Sequence, residues 1–370
     1  MSPVSFLDLG ATYRELRAEL DAAVARVLAS GWYILGPEVD AFEQAFAAHA
    51  GAKHCVSVAN GLDALEIGLL AAGVGAGDEV IVPSNTYIAT WLAVTHVGAT
   101  PVPVEPDEAT HNLDPRRIEA ALTPRTRAIL PVHLYGRPAD MQPIVELARS
   151  RGLFVLDDAA QAHGATYRGR RVGALAGATA WSFYPGKNLG AFGDAGAITT
   201  DDDTLAERVR VLRNYGSRVK YHNEVVGLNS RLDPIQAAVL AVKLPHLDAW
   251  NQRRERIAAL YDEGLAGLDW LGLPSWQDDR TRSALHLYVV RTPRRDELQQ
   301  HLNAAGVQTL IHYPIPPHRQ PAYASLGLAE GSFPVAERLA REVLSLPIGP
   351  HLSTEDAARV VAAVRSFGER

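Results

Sequence analysis

Between residues 53 and 200 the chain alternates two kinds of hydrophobic pattern. Short runs rich in β-branched residues, HCVSVAN, DEVIVPS and TPVPVE, are separated by GLDALEIGLLAAG and TYIATWLAVTHVG, where apolar residues return at helical spacing. The alternation continues through RAILPVHLYG, a helix over 141–151, GLFVLDDAAQ, TAWSFYPG and GAITT. Strands alternating with helices predict βα units on a parallel sheet. The runs are continuously apolar, the pattern of strands whose two faces are both covered by helices. Polar groups at their carboxyl ends therefore stand out: Asn60, Asn85, His133, Asp157 with Asp158, and Tyr184. In open α/β sheets ligands bind beyond those ends.

The pattern changes after Pro234. A helical stretch over 234–265 contains Pro245, which is expected to kink or divide it. SALHLYVVRT then reads as a strand, RRDELQQHLNAAG as a helix closed by Gly306, and 353–367 as a terminal helix. The predicted architecture is α/β: an N-terminal arm and a large, mostly parallel sheet domain over 1–245, then a smaller α+β domain over 246–370. The N-terminal helix, over 13–29, is expected to belong to neither core.

Composition narrows the chemistry. The 370 residues carry 36 Lys and Arg against 42 Asp and Glu, interspersed, so the basic stripe of a nucleic-acid binder is missing. No apolar run reaches the ~18 residues of a membrane span, and no membrane association is expected. The single cysteine, Cys55, rules out an internal disulfide and a cysteine-based metal site, and fits a cytoplasmic protein.

Three segments could carry a reaction. In WSFYPGKNLG, Lys187 follows an apolar strand in a Gly/Pro-rich turn. A buried lysine loses proton affinity, which frees the lone pair a Schiff base needs; an exposed loop lysine is the plain alternative. In VLDDAAQ, two carboxylates end a buried strand, and one of them should face a cation, cap a helix or pair with a protonated cofactor ring nitrogen. In SVANGLDAL, a strand passes through a glycine into a helix whose first amides and dipole suit a phosphate. A phosphate cradle, a strand-end carboxylate and a lysine 29 residues later are the parts that hold pyridoxal phosphate. His312 and His318 in HYPIPPH lack helical metal-ligand spacing because of the intervening prolines, and are expected at the surface or facing substrate. No metal site is expected.

ANGLDAL, PSNTYIAT, DDAAQAHGA, SFYPGKNLGAFGDAGA and GLNSRLDPIQAAVL together resemble the DegT/DnrJ/EryC1/StrS family of pyridoxal phosphate-dependent nucleotide-sugar aminotransferases, over nearly the whole chain. The resemblance implies a fold type I aminotransferase in which Lys187 binds the cofactor covalently and shuttles protons, while Asp158 pairs with the pyridine nitrogen. It further implies that Gln161 contacts the ring hydroxyl, that Ser182 and the amides of Gly61 and Leu62 hold the phosphate, and that Tyr87 stacks on the ring. Asn229 would come from a neighbouring subunit, making a homodimer with shared active sites. Tyr184, Lys220, Tyr221, Arg231, His312 and Tyr313 are the expected substrate contacts. Asp157 stands where the family more often has glutamate and receives no role. The wording around WYILGPEV and the 214–231 segment resembles members that aminate the third carbon of a dTDP-linked keto-6-deoxyhexose, with L-glutamate as donor. Members acting on the fourth carbon more often carry histidine at the position of Tyr184. The lysine argues against the family's dehydratase branch, which has histidine in place of Lys187. A 4-aminotransferase and a pyridoxal phosphate-binding regulatory protein without turnover are the alternatives.

Overall fold

The structure, a computed structural model, describes residues 2–368. After helices α1 (Leu9–Glu15), α2 (Arg17–Ser30) and α3 (Pro37–Ala50), the chain enters β1 (His54–Val58), α4 (Gly61–Ala71), β2 (Glu79–Pro83), α5 (Ile88–His96) and β3 (Thr100–Val104). It continues through α6 (Pro115–Ile118), β4 (Thr126–Ile129), α7 (Met141–Arg151), β5 (Phe154–Asp158), the short β6 (Thr166–Tyr167) and β7 (Arg170–Arg171), β8 (Ala178–Ser182) and β9 (Gly196–Thr200). Then follow α8 (Asp203–Leu212), a small hairpin of β10 (Ser217–Val219) and β11 (His222–Asn223), α9 (Pro234–Lys243), α10 (Leu247–Leu265), β12 (Thr281–Arg282) and β13 (Tyr288–Arg291). The chain ends with α11 (Arg295–Ala304), α12 (Pro334–Glu342), β14 (Val343–Leu346) and α13 (Thr354–Gly368).

Seven strands form the central sheet in the order β1-β9-β8-β5-β4-β2-β3. All neighbours are parallel except β9, which runs against both β8 and β1. A parallel return needs a long crossover, usually a helix, and no helix separates β8 from β9. The expected βα repeat therefore stops at β8, and the chain turns straight back through the segment that holds Lys187.

Both sheet faces are covered, as the apolar runs predict. On β2, Val80 and Val82 pack with Leu65, Leu69, Trp91 and Val94 of α4 and α5, while the intervening Ile81 joins Met141, Ile144 and Ala148 of α7. With both faces dry, the polar side chains at the strand ends stand at the open edge of the sheet.

The N-terminal helix departs from expectation. It breaks at Leu16 (φ −112°, ψ 22°), and α2 then lies on α9, with Leu20 packed near Val239 and Trp250, and Ala23 and Val27 against Ala238. Its apolar stripe is thus part of the core. Pro245 divides the predicted long helix by a single 3-10 turn, Leu244–His246. Beyond it, α10, α11 and α13 pack on the antiparallel pair β13–β14 through Tyr261, Tyr288, Leu298, Leu302, Leu344 and Val360. The carboxylate of Glu105, just past β3, accepts from the Val335 and Ala336 amides at 2.7 and 3.0 Å, capping α12. Among the described residues no helix is long and apolar enough to cross a membrane.

One buried ion pair ties α3, β1 and α8 together. Glu43 accepts from Ser57 N at 2.8 Å and Ser57 Oγ at 2.7 Å and pairs with Arg213, which also donates to Ser57 O at 2.6 Å. Removing one member strands the other charge in a dry site. Glu43→Ala should lower stability by about 3–5 kcal/mol, read as an earlier urea midpoint, whereas replacing both residues with apolar ones should recover much of the loss. Equal midpoints for Glu43→Ala and the wild type would overturn this reading.

Candidate active site

Lys187 sits in the turn between β8 and β9. That turn is pinned by Phe183 N to Ala195 O at 2.7 Å, Ala191 N to Phe183 O at 2.7 Å and Lys187 N to Tyr184 O at 2.8 Å. It folds so tightly that a Cβ on Gly190 would stand 2.4 Å from Pro185 O, so only glycine fits there. Asn188 anchors the turn, donating to Asn251 Oδ1 and Ala284 O at 2.9 and 2.7 Å, with its Oδ1 3.1 Å from His286 Nδ1. Lys187 is half-buried, and loss of water lowers its ammonium pKa to about 8, with the charge of Asp158 opposing the shift. The free amine is thus about a tenth of the population at pH 7 and the larger share only above pH 8.

Successive residues of a strand point to opposite sides, and the two aspartates that end β5 follow that rule. Asp157 is fully buried and 3.0 Å from His133 Nε2. Ala139 N donates to His133 Nδ1 at 3.0 Å, so the ring hydrogen lies on Nε2 and is given to Asp157. Asp158 faces the other way. It accepts from Ala160 N at 3.0 Å and from Thr90 Oγ1, on α5, at 3.2 Å. Burial raises its pKa; the Ala160 amide and the Lys187 charge work against that rise. Two neutral donors do not satisfy a buried carboxylate, and a cationic ring nitrogen would.

Beside β8 the start of α4 comes unusually close. A Cβ on Gly61 would lie 2.6 Å from Ser182 Cβ, so glycine is what lets the helix N-terminus and Ser182 share one place. Asn60 caps this helix by accepting from Asp63 N at 2.9 Å, while first-turn amides such as those of Gly61 and Leu62 have no partner within a helix. Gln161 accepts from Tyr135 N at 2.6 Å and donates to Tyr313 Oη at 3.1 Å, and the Tyr313 ring lies 5.1 Å from that of Tyr87. A helix start for a phosphate, an under-satisfied carboxylate for a ring nitrogen, an amide side chain and a half-buried amine fit pyridoxal phosphate.

The remaining expected residues are placed differently. Tyr184 is exposed beside the turn. Lys220 and Tyr221 belong to the hairpin region, the ammonium 5.1 Å from the Tyr221 ring centre. Arg231 donates to Asn214 Oδ1 at 3.1 Å and covers the Tyr215 ring. Among the described residues, no hydrogen bond joins Lys220, Tyr221, Asn229 or Arg231 to Lys187, Asp158 or Gln161 of the same chain. His312 Nδ1 is 2.8 Å from Ser345 Oγ, and burial lowers its pKa to about 4, so the ring is neutral. His318 is not a surface group: it is buried, with Nε2 3.0 Å from Glu337 Oε1, a partner 19 residues away. Thr90 is an additional residue in contact with Asp158, and the fully buried His133–Asp157 pair lies on the other side of the strand. Thr90 stands in the PSNTYIAT motif, but only the helix geometry shows which residue of it meets Asp158.

A cavity of about 430 Å³ lies elsewhere. Its charged groups are already paired, Arg116 with Asp107 and Asp114, Arg137 with Asp278, and Arg280 with Asp140.

Comparison with known proteins agrees with this chemistry. The model of the DegT/DnrJ/EryC1/StrS aminotransferase family matches residues 14–365. The chain is 61% identical over 367 residues to a dTDP-3-amino-3,4,6-trideoxy-alpha-D-glucose transaminase of Streptomyces venezuelae, covering 99% of this chain and 97% of that one. It is 54% identical over 365 residues to a dTDP-3-amino-3,6-dideoxy-alpha-D-galactopyranose transaminase of Aneurinibacillus thermoaerophilus, covering 99% of each. The crystal structure of S. venezuelae DesV in complex with a ketimine intermediate superposes with a TM-score of 0.98 at 60% identity, over the full length of both chains. The fold is that of a fold type I aminotransferase. With its sheet, its Lys187 turn and its Asp158 accounted for, this chain belongs to the pyridoxal phosphate-dependent DegT/DnrJ/EryC1/StrS aminotransferase family.

Proposed function

We propose that the protein transfers an amino group from L-glutamate to the third carbon of a dTDP-linked 3-keto-6-deoxyhexose, giving a dTDP-3-amino sugar. The observation that carries this reading is the opposition of Lys187 and the under-satisfied Asp158 at the carboxyl edge of the sheet. Two relatives named for 3-amino sugars support the choice of carbon; one name includes a 4-deoxy sugar and the other does not.

The Gly61 and Leu62 amides and Ser182 would hold the phosphate, Asp158 the ring nitrogen, Gln161 the ring hydroxyl and Tyr87 the ring face, with Lys187 as the covalent anchor. The bound cofactor supplies an electron sink for the pair left when a C–H bond beside nitrogen breaks. Lys187 Nζ would take the proton from the α-carbon of glutamate. After 2-oxoglutarate has left and the ketosugar has bound, the same nitrogen would deliver a proton to sugar C3 before the amino sugar leaves. Asp158 would pair with the protonated ring nitrogen and favour its charged form. Its fixed position, set by Thr90 and the Ala160 amide, needs no reorganisation during the reaction.

The working unit in this reading is a homodimer in the cytoplasm. Trp32, Tyr33 and Ile34 are exposed, and so are Val219, Tyr221, Val225 and Val226 around the hairpin, the last at 96%. Such apolar surface favours a second copy. Asn229 is exposed, and its side chain makes no hydrogen bond among the described residues. Its neighbour Ser230 is buried, donating to Asp63 Oδ2 at 2.6 Å and accepting from Ala59 N at 3.0 Å. One residue is thus fastened beside the chain's own α4 while the next points away, as a group serving a partner's phosphate would. Lys220, Tyr221 and Arg231 supply cations and a phenol for the substrate diphosphate, and Tyr184, His312 and Tyr313 border the sugar.

Incubation with glutamate and dTDP-3-keto-6-deoxyglucose, its galacto epimer and their 4-deoxy counterpart should give a product with nitrogen on C3 by NMR. Nitrogen on C4 would overturn the regiochemistry and leave the family assignment untouched. Asp158→Asn should slow both half reactions by about 10²–10³-fold, while Asp157→Asn should chiefly lower stability. The reverse ranking in single-turnover kinetics would mean that Asp157 is the ring partner.

Sharing of sites is tested by mixing two inactive parents, Lys187→Ala and the double variant Asn229→Ala, Lys220→Ala. In a heterodimer one site collects every lesion and the other is intact, so about a quarter of wild-type activity should return on statistical mixing. No recovery, with heterodimers demonstrated, would show that each chain completes its own site.

A further inference from the structure

Against the Lys187 turn lies a cavity of about 60 Å³, lined by Pro185, Lys187 itself and Phe192 on one side and by Lys243, Arg254 and Asp8 on others. Lys243 and Arg254 stand on either side of the Pro245 turn and are 4% and 3% exposed. Among the described residues neither has a carboxylate partner. The Lys243 ammonium donates to Gly190 O at 2.6 Å and lies 4.1 Å from the Phe192 ring centre. Arg254 reaches only carbonyl oxygens, those of Leu285, His286 and Ile348, at 3.2–3.3 Å, and its buried Nε has no acceptor.

The acids nearby are already engaged. Asp8 accepts from the Gly10 and Ala11 amides and pairs with Arg14. Glu15 pairs with Arg253 and meets His351, another residue of the cavity wall. Burial lowers Lys243 to about 8 and Arg254 to about 10, so at neutral pH both keep their charge. Buried cations without a counter-charge are costly, and water relieves that only in part because it brings no charge of its own. A space of about 60 Å³ exceeds the ~10–15 Å³ that one water requires and suits a halide or one carboxylate group, not a nucleotide.

We infer that this cavity is a binding site for a small monovalent anion, of halide or carboxylate size, held between the Lys243 ammonium and the Arg254 guanidinium. The occupant supplies the missing negative charge and, through the Lys243 bond to Gly190 O, steadies the turn that carries Lys187. The site is separate from the phosphate cradle at α4 and does not depend on which sugar is aminated.

Crystals of the holoenzyme in sodium bromide, and separately in sodium formate, test this directly. The expected result is an anomalous bromine peak in contact with Lys243 Nζ and Arg254, displaced in the formate crystals by planar density. In solution, the holoenzyme's Tm should rise saturably with bromide or formate above the value in a bulky-anion salt of equal ionic strength. That anion-specific rise should vanish in Lys243→Met. Bromide without formate identifies a halide site, and formate without bromide a carboxylate site. Saturating bromide that leaves only water in the cavity, or a carboxylate of a second chain found there, overturns the inference. Because the diffraction arm uses wild-type protein, it decides the question even if Lys243→Met fails to fold.

Discussion

A carboxylate buried at the end of a sheet strand and a half-buried amine on the next turn set the terms for everything around them. Each favours the ionised form of the other, and neither is fully satisfied by the chain alone. Asp158 keeps its position because Thr90 and the Ala160 amide bind it, and Thr90 is presented by α5 only because that helix is seated on the sheet through Trp91 and Val94. The dry core thus fixes the polar edge: burial shifts both groups' proton affinities while their charges oppose those shifts.

The amine is held with comparable care. Its turn connects two adjacent antiparallel strands without a helix, so there is little slack, and the close approach at Gly190 leaves it one conformation. Asn188 ties it to Asn251 and to the backbone of Ala284, while Lys243 ties Gly190 to α9. Contacts from three distant segments therefore converge on one short loop. This is the arrangement expected where a nucleophile must act on carbons placed by other elements, since small misplacements are costly in rate.

The neighbouring aspartate shows how the same residue type takes a different task one position away. Asp157 is turned towards His133, whose tautomer is set by the Ala139 amide, and the pair laces β5 to the end of β4, where His133 N also donates to Asp158 O at 3.0 Å. That bond engages one oxygen of Asp157 while its buried Oδ1 has no partner, and it turns the carboxylate towards β4. Asp158, with a donor on each oxygen, faces the other side of the strand, towards the Lys187 charge.

Much of this was legible in the amino-acid order. Apolar runs and helical spacing located the strands and α7, Pro245 marked the division between α9 and α10, and the motifs around Gly61, Asp158 and Lys187 carried the family and its cofactor. Those features are local: propensity, turn chemistry and residue type act within a few positions along the chain. The tertiary structure decided the rest. That β9 runs antiparallel, that α2 is buried on α9, that His318 lies inside against Glu337, and that Lys243 and Arg254 share a cavity all depend on which segments meet in space. The motif already favoured Asp158 over Asp157; what folding adds is the partner of each, His133, 24 residues from Asp157, and Thr90, 68 residues from Asp158. A side chain's protonation and partner are properties of its surroundings, and those surroundings come from folding rather than from its place in the sequence.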